Sequence, residues 1–73
     1  MGDAMTELFW TTCIISDKTG VWRCSNSDAF LSLKQAVEEI EYKREHYPQV
    51  VCGFVEKTVG GGLPVPMYVR TYI

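Results

Sequence analysis

Four runs rich in apolar, aromatic and β-branched residues surround one segment with helical spacing, so the chain reads as two strands, a helix and two more strands. Each strand run is bounded at one or both ends by Gly, Pro, Asn, Asp or Ser, which favour turns. The strands are predicted over about 6–15, 21–26, 50–59 and 67–73. Residues 1–5 are predicted to be the flexible end of a single domain that spans 1–73.

The helix is predicted over about 33–46 and has the clearest local signals. Ser32 and Gln35 have the spacing of a capping box, in which the Ser32 hydroxyl accepts from the Gln35 amide. Pro48 disfavours the helical region for the residue before it, which ends the helix. Apolar residues recur at helical spacing in the following set: Leu33, Ala36, Val37 and Ile40.

These elements predict an α+β fold, a small ββαββ domain whose four-stranded sheet carries one helix on one face. Each half of the chain forms a hairpin. If strands one and four are neighbours in the middle, they run parallel and the strand order is 2-1-4-3, as in a β-grasp sheet. We favour this order because the strongly apolar first strand suits a central position. The order 1-2-3-4 and a three-stranded sheet with a loose end remain alternatives.

The first hairpin turns at 17–20, which places Cys13 opposite Cys24 and assigns side chains to two faces. The more apolar face is predicted to lie under the helix, and it holds Phe9, Cys13, Ile15, Trp22 and Cys24. In the fourth strand we assign Met67, Val69, Thr71 and Ile73 to that side. A slip of one residue would invert every one of these assignments. Gly53, inside the third strand, indicates a bulge or a close backbone contact.

The face that the helix leaves uncovered is predicted to be a protein-binding surface. It would carry Trp10, Thr12, Arg23, Tyr68, Arg70 and Tyr72. Trp, Tyr and Arg dominate the binding energy of protein interfaces. The alternatives are that these are ordinary strand residues, that the face pairs with a second copy in a homodimer, or that it stacks single-stranded nucleic acid.

The helix offers a second, weaker hypothesis, an acidic face formed by Glu38, Glu41 and Glu45 that would meet a basic partner. The alternative is an ordinary solvent-exposed helix face, since charged side chains in proteins are mostly exposed to solvent. The charge balance argues against a nucleic-acid partner, because seven basic residues stand against nine acidic ones and the sequence pI is about 5.2. No apolar run has the length of a membrane span, and the N-terminal residues lack the features of a secretory signal.

Candidate chemistry is sparse in this sequence. The three cysteines and His46 match no metal-ligand spacing, so we expect free, core-packed thiols in a reducing compartment, the cytoplasm. The one disulfide that the hairpin register permits is Cys13–Cys24. No acid is placed to orient His46, and the glycines of 60–62 lack the Lys and Ser or Thr of a phosphate-binding loop. We therefore predict no catalytic residue, no metal and no cofactor.

The sequence carries no motif of a known family. In size and element order the chain is similar to the small single-domain ββαββ proteins that phages and mobile elements encode. This likeness implies a viral, non-enzymatic protein that binds a partner stoichiometrically, for example an inhibitor of a host defence enzyme such as an anti-CRISPR. The alternatives are a homodimeric structural protein with its open sheet faces paired, and a weak single-stranded nucleic-acid binder that uses the aromatic residues of the sheet.

Overall fold

The computed structural model describes residues 6–72, which form four strands and one helix. The elements in chain order are β1 (Glu7–Asp17), β2 (Gly20–Ser25), α1 (Leu33–His46), β3 (Val50–Val59) and β4 (Val65–Thr71). The helix and third strand have the predicted bounds, whereas the fourth strand begins two residues earlier than predicted. The flexible end predicted for 1–5 and the predicted position of Ile73 lie outside the described residues.

The α+β fold and the ββαββ layout are confirmed, but the favoured strand order 2-1-4-3 is wrong. The sheet is antiparallel throughout and its order is β2-β1-β3-β4. The two hairpins therefore meet through β1 and β3. Pro66 helps to explain this arrangement, because a residue without a backbone N–H suits an edge strand. The apolar start of β3 takes the interior position instead.

The first hairpin has the predicted register. Ile15 pairs with Trp22 and Cys13 pairs with Cys24. The turn is held at Asp17, whose Oδ1 accepts from the Thr19 hydroxyl at 2.6 Å and from the Thr19 backbone N–H at 2.8 Å. These bonds lower the pKa of the Asp17 carboxyl. The turn is thus a local structure that the sequence encodes by itself.

The helix begins and ends as predicted. The Ser32 hydroxyl accepts from the Gln35 backbone N–H at 3.2 Å, and Ser32 has extended backbone angles. This bond satisfies one of the free donors of the first helical turn. Before the cap, Phe30 pairs with Phe9 through two backbone hydrogen bonds of 2.9 and 2.7 Å. The chain is therefore fixed to β1 at the point where it enters the helix.

The core lies between the helix and the two inner strands. Its buried centre consists of Phe9, Ala36, Ile40 and Val55. Partly buried side chains complete it: Phe30, Leu33, Val37, Tyr68 and Tyr72. The helix contacts β1 and β3 and leaves the outer strand β2 uncovered, so that Trp22, on the helix side of β2, is 54% exposed.

Candidate functional site

The sheet face opposite α1 is here called the open face. The pairing of the strands assigns to it Trp10, Thr12, Ile14, Arg23, Ser25, Cys52, Phe54, Glu56, Pro66, Val69 and Thr71. The assignment follows from the core, because Phe9 and Val55 pack under the helix and alternate residues point the other way. No described element packs over these residues, and Val69 is 64% exposed.

Three of the six predicted binding residues lie on the open face. Trp10 is half-buried, and its indole N–H donates to the Thr58 hydroxyl at 3.0 Å, which fixes the ring. Arg23 is exposed on the outer strand. Thr12 lies near the centre but is only 8% exposed, and its hydroxyl is 3.2 Å from that of Ser25. Trp10 and Arg23 are therefore available to a partner, and Thr12 supports the surface from below.

Phe54 lies on the open face, although no binding role was predicted for it from the sequence. It pairs with Thr12, and the Arg23 guanidinium carbon lies 5.7 Å from the centre of its ring. A cation at that distance over an aromatic ring is within the range of a cation–π interaction. Glu56, which was also not predicted, and Val69, which was predicted on the helix side, lie on the same face. Their face follows from the pairing of β3 with β1, which the favoured strand order excluded.

The assignment of Tyr68, Arg70 and Tyr72 to the uncovered face is wrong. Tyr68 pairs with the buried Val55, and its hydroxyl donates to the Glu41 carboxylate of the helix at 3.2 Å. Arg70 pairs with Gly53, so it also lies on the helix side. Its guanidinium carbon is 5.7 Å from the Tyr72 ring centre. Whether these residues bind a partner stays a prediction, but they do not belong to the open face.

The reverse assignment, of Val69 and Thr71 to the helix side, is wrong for the same reason. Val69 pairs with Phe54 and Thr71 pairs with Cys52, both on the open face. The register of β3 and β4 shifts between Val55 and Glu56, and Met67 lies at this irregularity. The Tyr68 ring of β4 and the Tyr72 ring just after it pack against the core beside the helix, where they fill more space than Val and Thr would.

Tyr72 is packed on the helix side in an unusual environment. Its hydroxyl is buried and has no hydrogen-bond partner among the described residues. The Arg44 guanidinium carbon lies 5.1 Å from the ring centre. Burial, followed by the proximity of the Glu41 carboxylate, raises the pKa of Tyr72 to about 12. The side chain thus behaves as part of the core.

A groove of about 440 Å³ adjoins Trp10 on the open face. Its walls are Leu8, Trp10, Glu56, Thr58, Gly61, Gly62 and Pro64. Gly60 and Gly61 have positive φ angles of 56° and 81°, and the backbone N–H of Gly62 donates to the Val59 carbonyl at 2.9 Å. The loop therefore turns tightly back beside β3. Within 6–72, the Glu56 carboxylate forms no hydrogen bond or ion pair.

The predicted acidic helix face is not uniform. Glu38 and Glu45 are exposed, whereas Glu41 is engaged with Tyr68. Glu39 forms an ion pair of 3.5 Å with Lys43 one turn later. The outer helix surface therefore carries two free glutamates at some distance from each other, which makes a weaker docking surface than the open face.

His46 is held by its own helix. Its Nδ1 lies 3.0 Å from the Tyr42 carbonyl oxygen, and its ring stacks on Tyr42 with the centres 3.9 Å apart. In the part of the chain that the structure describes, no three His, Cys, Asp or Glu side chains converge as metal ligands would. All three cysteines are free thiols.

The helix within residues 6–72 is too short and too polar to cross a membrane. Comparison of the chain with protein-family models, with curated proteins and with solved structures finds no match. The open face and its groove are therefore interpreted from their own geometry.

Proposed function

We propose that this chain is a non-enzymatic binding module of the reducing cytoplasm that binds one partner protein through its open face. The observation that carries this proposal is the uncovered group of Trp10, Phe54 and Val69 with the Arg23 guanidinium above it. Aromatic residues and Arg are enriched at the centres of protein interfaces, and an apolar sheet face left open is costly in water.

The size of the open face favours a different protein over a second copy. The four strands have 11, 6, 10 and 7 residues. At about 3.3 Å per residue and about 4.8 Å between strands, they form a flat area of roughly 540 Å². A standard interface buries about 800 Å² on each partner. Two copies packed face to face would reach roughly two thirds of that area. A partner that also enters the groove beside Trp10 would bury more.

The groove indicates the chemistry of the partner. Leu8, Pro64 and the Trp10 ring provide an apolar wall, and Glu56 is the one charged residue among those that form it. A Lys or Arg side chain fits this combination, because its aliphatic stem can lie on the apolar wall while its cation meets the carboxylate and the indole ring. The proposed partner therefore presents a basic anchor residue beside an apolar surface.

Nucleic acid is a less suitable ligand for this face. Within 6–72, Arg23 is the one basic side chain on the open face, since Arg70 lies on the helix side. Glu56 cancels its charge. Affinity for a phosphate backbone grows with the number of basic contacts, and a single Arg supplies little.

Binding of this kind would act by covering a surface of the partner. Where the partner is an enzyme, we propose that the outcome is stoichiometric inhibition, as in a phage-type inhibitor of a host defence enzyme. The support for this extension is the likeness in size and element order described above. It predicts a loss of partner activity that saturates at one module per enzyme.

A matched pair of variants in β4 tests the open face. Val69→Glu places a carboxylate on the open face, whereas Val65→Glu places one on the helix side, where Val65 pairs with Lys57. The two valines are both exposed, at 64% and 51%. The tagged chain is used to capture proteins from the cells that encode it, and the dissociation constant of the purified partner is then measured for each variant.

We expect Val69→Glu to weaken binding at least tenfold, since burying an unpaired charge in an interface costs more than about 1.4 kcal/mol. Val65→Glu should stay within about twofold of the wild type. Equal effects of the two variants, or no partner at all, would contradict the proposal. Sedimentation of the chain alone across a dilution series measures its oligomeric state. A stable dimer would mean that the open face binds a second copy of the chain and not a different protein.

A further inference from the structure

A second cleft lies on the opposite side of the sheet, between the end of α1 and the uncovered strand β2. It has a volume of about 230 Å³. Its walls are Cys13, Ile15, Cys24, Lys43, Tyr47 and Val50. The cleft exists because the helix packs mainly on β1 and β3 and leaves Trp22 and its neighbours in β2 exposed. Two thiols and one ammonium group therefore line the same small space, away from the open face.

Cys13 and Cys24 are placed for direct reaction with each other. They are directly opposed partners of the β1–β2 ladder. Opposed residues in an antiparallel pair have Cα atoms about 4.5–5.5 Å apart and Cβ atoms about 4.5–5.5 Å apart. A disulfide needs Cα atoms about 4.4–6.8 Å apart and Cβ atoms about 3.5–4.5 Å apart. The two strands would need to approach by about 1 Å or less.

The third cysteine is separated from this pair by the sheet. Cys52 pairs with Ile14 and belongs to the open face. The two cleft cysteines differ in accessibility, since Cys24 is exposed and Cys13 is only 4% exposed. Burial raises the pKa of the Cys13 thiol, and the nearby Lys43 ammonium acts in the opposite direction. Cys24 is thus the thiol that meets a reagent from solution, and Cys13 is the thiol behind it.

We propose that Cys13 and Cys24 form a thiol–disulfide exchange site that takes a low-molecular-weight disulfide as substrate and closes to a reversible Cys13–Cys24 disulfide. The Cys24 thiolate attacks one sulfur of the substrate, forms a mixed disulfide and releases the first thiol. The Cys13 thiolate then attacks the Cys24 sulfur and releases the second thiol. The protein loses two electrons, the substrate gains two, and the two cysteine protons end on the released thiols.

Lys43 has a defined part in the second step. Its ammonium group lines the cleft and partly offsets the rise in the pKa of Cys13 that burial causes. The attacking thiolate is therefore more populated than it would be without Lys43. The product disulfide would lie partly exposed at an outer strand, and exposed disulfides are the ones that cellular thiols reduce readily. The site is therefore suited to reversible oxidation rather than to permanent cross-linking.

The experiment uses the full chain and glutathione disulfide as the probe. The reduced protein is incubated with the probe, quenched with an alkylating agent at several times and analysed by mass spectrometry with peptide mapping. We expect the wild type and Cys52→Ser to lose two hydrogens by forming Cys13–Cys24, with little glutathione adduct. Cys13→Ser should accumulate a stable adduct at Cys24, and Cys24→Ser should react at least tenfold more slowly at Cys13.

Several results would overturn the proposal. These are a glutathione adduct at Cys24 that persists in the wild type, a disulfide that includes Cys52, or closure that dithiothreitol does not reverse. Circular dichroism of Cys13→Ser establishes whether this buried variant is folded. If Cys13→Ser does not fold, the wild type and Cys52→Ser still test the proposal, because both proteins should form the Cys13–Cys24 disulfide. Lys43→Gln should slow closure without slowing the first adduct, whereas Lys34→Gln, also on α1, should change neither rate.

Discussion

Gly53 of β3 lies directly beneath Ile40 of α1, so closely that a Cβ atom on Gly53 would overlap Cγ2 of Ile40. Gly53 does not have a positive φ angle, so its role is to provide space and not an unusual backbone conformation. Ile40 is fully buried at this contact. The absence of a side chain on one strand therefore determines how closely the helix approaches the sheet.

Gly53→Ala should destabilise the protein by about 1–3 kcal/mol, because the added methyl overpacks the core. Ile40→Leu removes the β-branch that occupies this space at a cost of less than about 1.5 kcal/mol. We expect the double variant to lose about 1 kcal/mol less than the sum of the two single changes. Urea denaturation of the four proteins measures the coupling. Additive costs would mean that the Ile40 branch is not what excludes a side chain at Gly53.

Tyr72→Phe should change the response to alkaline pH. The folded protein raises the pKa of Tyr72 from 10.0 to about 12, so the folded state resists loss of the phenolic proton. This contribution is fully present below about pH 10 and is lost as the pH rises towards about 12. The wild type should therefore lose more stability over this range than Tyr72→Phe does, as measured by urea midpoints.

Tyr42→Phe is the matched control for this experiment, because Tyr42 is an exposed tyrosine of α1. Its stability should fall in parallel with that of the wild type. Near neutral pH, Tyr72→Phe should be as stable as the wild type or slightly more stable, since the buried hydroxyl that it removes has no partner. If all three proteins lose stability equally above about pH 10, ionisation of Tyr72 is not linked to unfolding.

Glu56→Gln tests the basic anchor proposed for the groove. Removal of this charge should weaken partner binding about tenfold and reduce the salt dependence of the affinity, because the lost interaction is an ion pair. Glu45→Gln changes an exposed carboxylate on α1 and should leave both quantities unchanged. An unchanged affinity and salt dependence in Glu56→Gln would exclude the basic anchor. The Val69→Glu variant would still test whether the partner binds through the open face.

Elements with local signals were predictable from the sequence. The turn at Asp17 and Gly20 sets the register of the first hairpin, and Ser32 and Pro48 mark the limits of the helix. Each of these depends on residues a few positions apart, so the prediction needs no knowledge of the fold. The opposition of Cys13 and Cys24 follows from the same turn and was also predicted correctly.

The faces of β4 could not be derived in this way. The long glycine loop imposes no register, and the shift between Val55 and Glu56 changes which residues alternate together. The position of Tyr68 depends on a contact with Glu41, which is 27 residues away. Strand order is a similar problem, since the pairing of β1 with β3 depends on how the whole helix crosses the sheet.

The helix leaves β2 without a covering layer, and this has a consequence for motion. One ladder of backbone bonds to β1 holds this strand, and five of its six residues are exposed. Local opening needs least free energy where few apolar contacts are lost. β2 should therefore open before the inner strands, with rapid amide exchange in β2 and slow exchange in β3. Fluctuation at this outer strand would bring Cys24 towards and away from Cys13 while the rest of the domain stays folded.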